Sequence, residues 1–150
     1  MSLAGPLDAQ VRRHVYEVLI ESTRAPTADE TAHALGVSRE QARAAFERLA
    51  DARALVLDRE SREILMAMPF AAVPTAFVTR ASGRSYHANC AWDALGILVL
   101  LKQDGRVVTS CGCCSAPMQL EMRGGALEPA DGCVHFGVPP RRFWDNIVFT

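Results

Sequence analysis

Lysine is almost absent from this chain: of its 16 basic residues, only Lys102 is lysine and the other 15 are Arg. We ascribe that imbalance to a GC-rich coding bias rather than to a demand for bidentate chemistry. Against 17 acidic residues the formal charge is -1, so no basic field runs along the whole chain to track a nucleic-acid backbone. The start of the sequence lacks a positive segment followed by a long apolar run. The most apolar stretch, residues 94–101, is eight residues long, too short to span a bilayer. A cytoplasmic protein without a membrane partner is therefore expected. Internal repeats and low-complexity tracts are missing. Cysteine is missing from the first 89 residues. The five cysteines, Cys90, Cys111, Cys113, Cys114 and Cys133, crowd into the remainder, and their odd number argues against a fully paired extracellular framework. In a reducing compartment they read as thiols, ligands or nucleophiles. What is present is globular: 150 residues, 49% hydrophobic and 22% charged, enough for one ordinary domain or two small fused modules with a real core.

The first half has helical texture. Val11, Val15, Val18 and Leu19 recur on one face of a helix expected over 8–22, which Pro26 and Thr27 end. A second helix is expected over 28–35, with Gly36 just past its end. Ser38 is a natural N-cap with Gln41 as its capping-box partner, so a third helix is expected over 39–52, with Ala42, Ala45, Phe46 and Leu49 inward. Strands follow over 55–57 and 63–66. Residues 27–58, TADETAHALGVSREQARAAFERLADARALVLD, resemble bacterial winged helix-turn-helix modules. In such modules the third helix enters a major groove, which makes Arg39, Arg43 and Arg48 candidate DNA contacts. Glu40 and Glu47 interleave with them, and the first 68 residues hold 9 basic and 11 acidic side chains. A structural or dimerising module is the stronger expectation, since a fold does not assign a function. His14 and His33 read as surface or packing residues.

Near residue 69 the texture changes and charge thins out. Pro69 and Pro74 bracket FAAV, a linker or lead-in strand. Strands are expected over 75–79, 106–110, 118–122 and 133–138, with turns at 81–84 and at Gly124, Gly125 and Pro129. A helix, apolar on most of its circumference and therefore central, is expected over 89–102. A further helix would begin in 141–146. The expectation is an α+β protein: a helix-turn-helix-like module in residues 1–68, then a mixed α/β domain in residues 69–150 with an apolar helix against short strands. The sequence stops on an apolar run, 147–149, which leads us to expect a chain cut short of its last strands or helix.

The chemistry lies in the second half. Cys90 and Asp93 are three apart on the first turn of that helix, side by side. Helix N-terminal N–H groups favour a thiolate and a neighbouring carboxylate opposes it, so a proton shared between thiol and carboxyl is expected. The alternative is a buried cysteine beside a capping Asp. In SCGCCSAP, residues 110–117, the spacing of Cys111, Cys113 and Cys114 lets at least two sulfurs face one site, with a preference for soft ions such as Hg(II), Cu(I), Zn or Cd. Zinc-knuckle spacing is not present, and although Cys111 and Cys114 form C-x-x-C, no thioredoxin-like context surrounds them. Cys133 and His135 would share one face of a strand and complete a metal site, or else be a core cysteine and a hydrogen-bonded histidine. His87 is a further candidate base. Trp92, Phe70 and Phe136 would line an organic pocket or, the preferred reading, belong to core.

The segments VPTAFVT, YHANCAWDALGI, GRVVTSCGCCSAP and VHFGVPPRRFWDNIVFT together resemble the alkylmercury lyase family, in an order and spacing that agree over residues 7–150. The resemblance implies an N-terminal winged-helix-like module joined to a mixed α/β catalytic domain. It implies that two thiolates capture an organomercury cation, that an aspartate supplies the proton that cleaves the carbon–mercury bond, and that Hg(II) leaves to a dithiol acceptor. No organic cofactor is implied; mercury is substrate and product, and mercury resistance is the setting. By motif, Cys90 matches the first catalytic cysteine, Asp93 the aspartate, and Cys111 a more structural cysteine. The position of the second catalytic cysteine carries Asp131, with Cys133 displaced by two residues, so the second sulfur falls to Cys133 or to Cys113 or Cys114. The alternative is a non-catalytic soft-metal binder using Cys111, Cys113, Cys114 and Cys133, or a winged-helix metal-responsive regulator. An inert protein with buried thiols is the third reading.

Overall fold

A computed structural model describes residues 5–130 and 132–148. The chain divides into two compact units, Met1–Val73 and Pro74–Thr150. In the first, α1 (Pro6–Ser22), α2 (Ala28–Leu35) and α3 (Arg39–Asp51) precede three short antiparallel strands, β1 (Val56–Leu57), β2 (Ile64–Ala67) and β3 (Phe70–Ala71). Local chemistry fixes the helix boundaries. Thr27 caps α2 and Ser38 caps α3, each in a reciprocal capping box, with Glu30 and Gln41 respectively. Gly36 closes α2 in the left-handed conformation. The expected inward faces are buried: Val11, Val15 and Leu19 from α1, and Ala42, Ala45, Phe46 and Leu49 from α3. Phe70 is core as well, edge-on to Tyr16, whose hydroxyl donates to the Met68 carbonyl at 2.6 Å. Buried Asp8 accepts a bidentate pair of hydrogen bonds from Arg48, which ties α1 to α3.

The second unit is a five-stranded antiparallel array with one helix against it. Its strands are β4 (Phe77–Ala81), β5 (Arg84–Ala88), β6 (Gly105–Ser110), β7 (Pro117–Arg123) and β8 (Ala126–Leu127), in the order β5-β4-β6-β7-β8. Ser82 and Gly83 both have positive φ, the turn geometry that matches strand twist in a two-residue hairpin. Between β5 and β6 runs α4 (Ala91–Leu101), packed on β4, β5 and β6. Odd-numbered β4 residues face it. Thr79, fully buried, donates its hydroxyl to the Ala94 carbonyl at 2.7 Å and so fixes the first turns of α4 against the sheet. Gly105 has no room for a Cβ, which would meet the Arg80 carbonyl oxygen and the Leu98 side chain.

Three expectations need correction. The helix packs on the sheet as expected, but through one face only: Ala94, Ile97 and Leu98 are buried, whereas Trp92 is 72% and Val99 61% exposed. Residues 133–138 form no strand; Gly132, Gly137 and Pro139 surround the β-branched residues there, and no neighbouring strand pairs with them. The helix expected after Pro139 is a 3-10 helix, Pro140–Asp145. Among the described residues no helix is long and apolar enough to cross a membrane.

Candidate functional site

Cys90 is the N-cap of α4 in extended backbone conformation, and Asp93 is the third residue of the helix. This geometry sets sulfur and carboxylate together: Cys90 Sγ lies 3.5 Å from Asp93 Oδ2. Both side chains are half-buried. Burial is the main force on each. It pushes the Cys90 thiol up from its ordinary range, and the Asp93 charge pushes it further. The Trp92 and Asp93 N–H groups point toward the sulfur and oppose that rise, although the sulfur makes no capping hydrogen bond of regular geometry. Burial also raises the Asp93 carboxyl, with the Cys90 hydrogen bond opposing. The result is a thiol and a carboxyl that share protons at one spot, each disfavoured as an anion while the other is charged.

Asn89 and Thr75, which the sequence did not single out, and His87, read from it as a candidate base, surround this turn. Asn89 donates its amide to the Ile147 carbonyl at 2.8 Å, which anchors the C-terminal segment beside the Cys90 turn. Thr75 is threaded by hydrogen bonds into the start of β4: its hydroxyl donates to the Ala88 carbonyl at 2.6 Å, and its N–H donates to His87 Nδ1 at 3.1 Å. His87 is thus held as an acceptor within the sheet. The only sequence signal for these roles is proximity to the Cys90 motif.

The other four thiols differ in exposure. Cys111 is half-buried at the end of β6, while Cys113, Cys114 and Cys133 are exposed. Cys111 sits in the connection between β6 and β7, where the backbone N–H groups of Cys114 and Cys113 hold its thiol below the ordinary range. Cys133 and His135 lie on irregular exposed chain, so the strand argument that put them on one face does not hold. Asp131 lies outside the described residues. Among the described residues, no group of three or more His, Cys, Asp or Glu is placed to hold a metal ion. The five cysteines therefore do not form one ligand cluster. Trp92 is exposed beside the site, and Phe136 packs on Phe143 with ring centres 5.3 Å apart. A groove of about 720 Å³ opens at one end of the sheet, among Arg80, Arg84, Arg106, Arg123, Asp104 and Glu121. It contains no thiol, so we place the chemistry at Cys90.

The alkylmercury lyase family profile matches residues 70–150, more than half of the chain and all of the segment that carries the thiols. The chain belongs to the alkylmercury lyase family. Ten solved chains match it in structure. One, described as the crystal structure of the mercury-bound form of MerB2, aligns with a TM-score of 0.66 at 20% identity, over 83% of this chain and 59% of that one. At that identity the likeness is one of fold, and this chain spans about three-fifths of the relative's length. No curated protein gives a match.

Proposed function

We propose that this alkylmercury lyase family member cleaves a carbon–mercury bond by protonolysis, with Cys90 as the mercury-binding thiolate and Asp93 as the proton donor. The observation that carries this is the 3.5 Å contact between Cys90 Sγ and Asp93 Oδ2 at the start of α4. Soft mercury selects sulfur. Two thiolates load electron density onto the metal and weaken its bond to carbon. The balance is simple: an organomercury species R–Hg–X and two thiols give R–H, a mercury bis-thiolate and HX. The proton released by Cys90 on binding mercury passes to Asp93, whose burial keeps the protonated form available, and from there to the leaving carbon.

Cys133 is the second thiolate of this reading. A mercury bis-thiolate on a half-buried turn is open to exchange with a small-molecule or protein dithiol, the acceptor for the product. In the non-catalytic alternative the protein titrates soft metal without turnover. A DNA-binding regulator has less support: of the three candidate arginines on α3, Arg39 pairs with Asp29 at 3.0 Å and Arg48 with Asp8.

The test is anaerobic incubation of the reduced protein with phenylmercury acetate and excess small-molecule dithiol, following benzene by headspace gas chromatography. Benzene in many-fold excess over protein, lost in Cys90→Ser, is the expected result, because a hydroxyl is a hard ligand. Full activity in that variant would remove Cys90 from the mechanism. Cys133→Ser should lose more activity than Cys114→Ser; the reverse order would move the second sulfur to the β6–β7 loop.

A further inference from the structure

On the face turned away from α4, the sheet carries a row of polar side chains. The register sets Arg80 of β4 opposite Ser85 of β5 on one side and opposite Arg106 of β6 on the other, with Glu121 of β7 next in line. Residues opposite one another point to the same face, so two guanidinium groups stand side by side, an arrangement that destabilises a sheet unless something neutralises it. With Arg84 and Arg123 they line the groove of about 720 Å³. Its two carboxylates are already engaged. Glu121 accepts from Arg123 at 3.0 Å and from Gln119 at 2.7 Å, and Asp104 accepts from the Gly124 N–H at 2.8 Å. Among the described residues Arg80, Arg84 and Arg106 form no ion pair. The frame of the groove is tied down at both ends. Ser82, in the β4–β5 turn, donates its hydroxyl to the Gln103 side chain at 2.7 Å, and Asp104 holds the β7–β8 turn at Gly124. Both turns are thereby fixed to the short connection between α4 and β6.

We propose that this groove binds a small phosphate monoester, with the dianionic phosphate held between Arg80 and Arg106. Charge decides the ligand class. The groove has two more arginines than carboxylates, although the chain as a whole carries a formal charge of -1. A carboxylate would neutralise one guanidinium, whereas a phosphate monoester carries close to two negative charges near neutral pH and offers three acceptor oxygens. The planar fork of guanidinium donors matches those oxygens. Ser85, exposed and opposite Arg80, adds a hydroxyl on the same face. The volume lies within the range of small-molecule sites, roughly 300–1,000 Å³, and leaves room beside the phosphate for the organic part of the ester. Because both turns are anchored before any ligand arrives, binding has little backbone left to order. No covalent step is involved; the ester is held by contact alone.

The groove holds no thiol and is tested without the cleavage reaction. The full chain is titrated calorimetrically with glycerol 3-phosphate and, separately, with inorganic phosphate, at an ionic strength held constant with sodium chloride. One equivalent of the ester should bind per monomer, more tightly than inorganic phosphate does. Arg80→Gln and Arg106→Gln should each weaken that binding about tenfold, the order expected for loss of a charge-assisted hydrogen bond. Arg43→Gln, at an exposed position on α3, should leave it unchanged. Without ligand, each groove variant should melt no lower than the parent, because it removes one member of a like-charged cross-strand pair. With the ester, the parent should gain melting temperature and the groove variants should not. Far-ultraviolet circular dichroism checks that each variant is folded. No saturable binding, equal binding by the parent and both groove variants, or inorganic phosphate bound as tightly as the ester would overturn the proposal. So would an equal loss in Arg43→Gln, which would mark a general charge effect, or ligand-free groove variants that melt well below the parent, which would assign the two arginines to the fold.

Discussion

Replacement of Asp93 by Asn should change thiol reactivity and cleavage in opposite directions. The carboxylate lies 3.5 Å from Cys90 Sγ and opposes formation of a second negative charge there. Two unit charges about 4 Å apart interact by ~1 kcal/mol in water and ~4 kcal/mol at an effective dielectric constant of 20. Both side chains are only half-buried, so solvent screening places the difference near the lower figure. About 1 kcal/mol is roughly a fivefold larger thiolate population at a pH below the thiol pKa. The Asn amide also donates hydrogen bonds to a thiolate, which works in the same direction. Iodoacetamide labelling, resolved by peptide mass spectrometry, should therefore show Cys90 alkylated about fivefold faster near pH 7.5, with its pH midpoint moved lower and Cys111 unchanged. Benzene release should fall by a factor on the order of 10²–10⁴, the usual contribution of a positioned acid. A faster thiol in a dead enzyme separates proton donation from a merely structural role. An unchanged or slower Cys90 would refute the electrostatic account. Faster labelling of every cysteine would show instead that the fold had loosened.

Thr79→Val keeps the shape but removes the hydroxyl that holds the Ala94 carbonyl; urea denaturation should show a loss of about 1 kcal/mol. Gly105→Ala pushes a methyl against the Arg80 carbonyl and Leu98; the same assay should show a loss of about 1–3 kcal/mol. The Arg48 hydrogen bonds hold the Asp8 carboxyl below its ordinary value, so the pair contributes stability above the unfolded-chain pKa near 3.8 and loses it as pH falls through the lower folded value. Asp8→Asn should therefore lower the urea midpoint at pH 7 and lower it less at pH 3; an equal loss at both would exclude the charge as the cause.

Legibility followed locality. The bounds of α2 and the Ser38–Gln41 capping box were readable because the signals are local, whereas Thr27, read only as ending α1, also forms a capping box with Glu30. Cys90 and Asp93 were readable for the same reason, since one helical turn brings them together. Strands β5 and β8 were missed. β5 begins with the exposed polar pair Arg84 and Ser85, β8 is only Ala126–Leu127, and only the Ser82–Gly83 and Gly124–Gly125 turns announce them. The opposite error occurred at residues 133–138, where β-branched and aromatic residues suggested a strand. A strand exists only if another pairs with it, and pairing partners are not local information.

The thiols therefore rest on backbones of unequal firmness, and the proposed chemistry sorts along that line. Cys90 is set by a helix pinned to the sheet through Thr79, and Cys111 by the paired ends of β6 and β7. Cys133 lies on irregular chain, around which Gly132 stands close to Met118, Phe136 packs on Phe143, and Asn89 holds Ile147. A first sulfur on a rigid helix start can bind mercury and face the acid at once. In the proposed reaction the second sulfur comes from this irregular chain, and the entropy of closing it around the metal grows only slowly with the residues enclosed. In the proposed reaction, the fixed helix start at Cys90 and Asp93 would serve the breaking of the carbon–mercury bond, and the irregular chain at Cys133 the release of the metal.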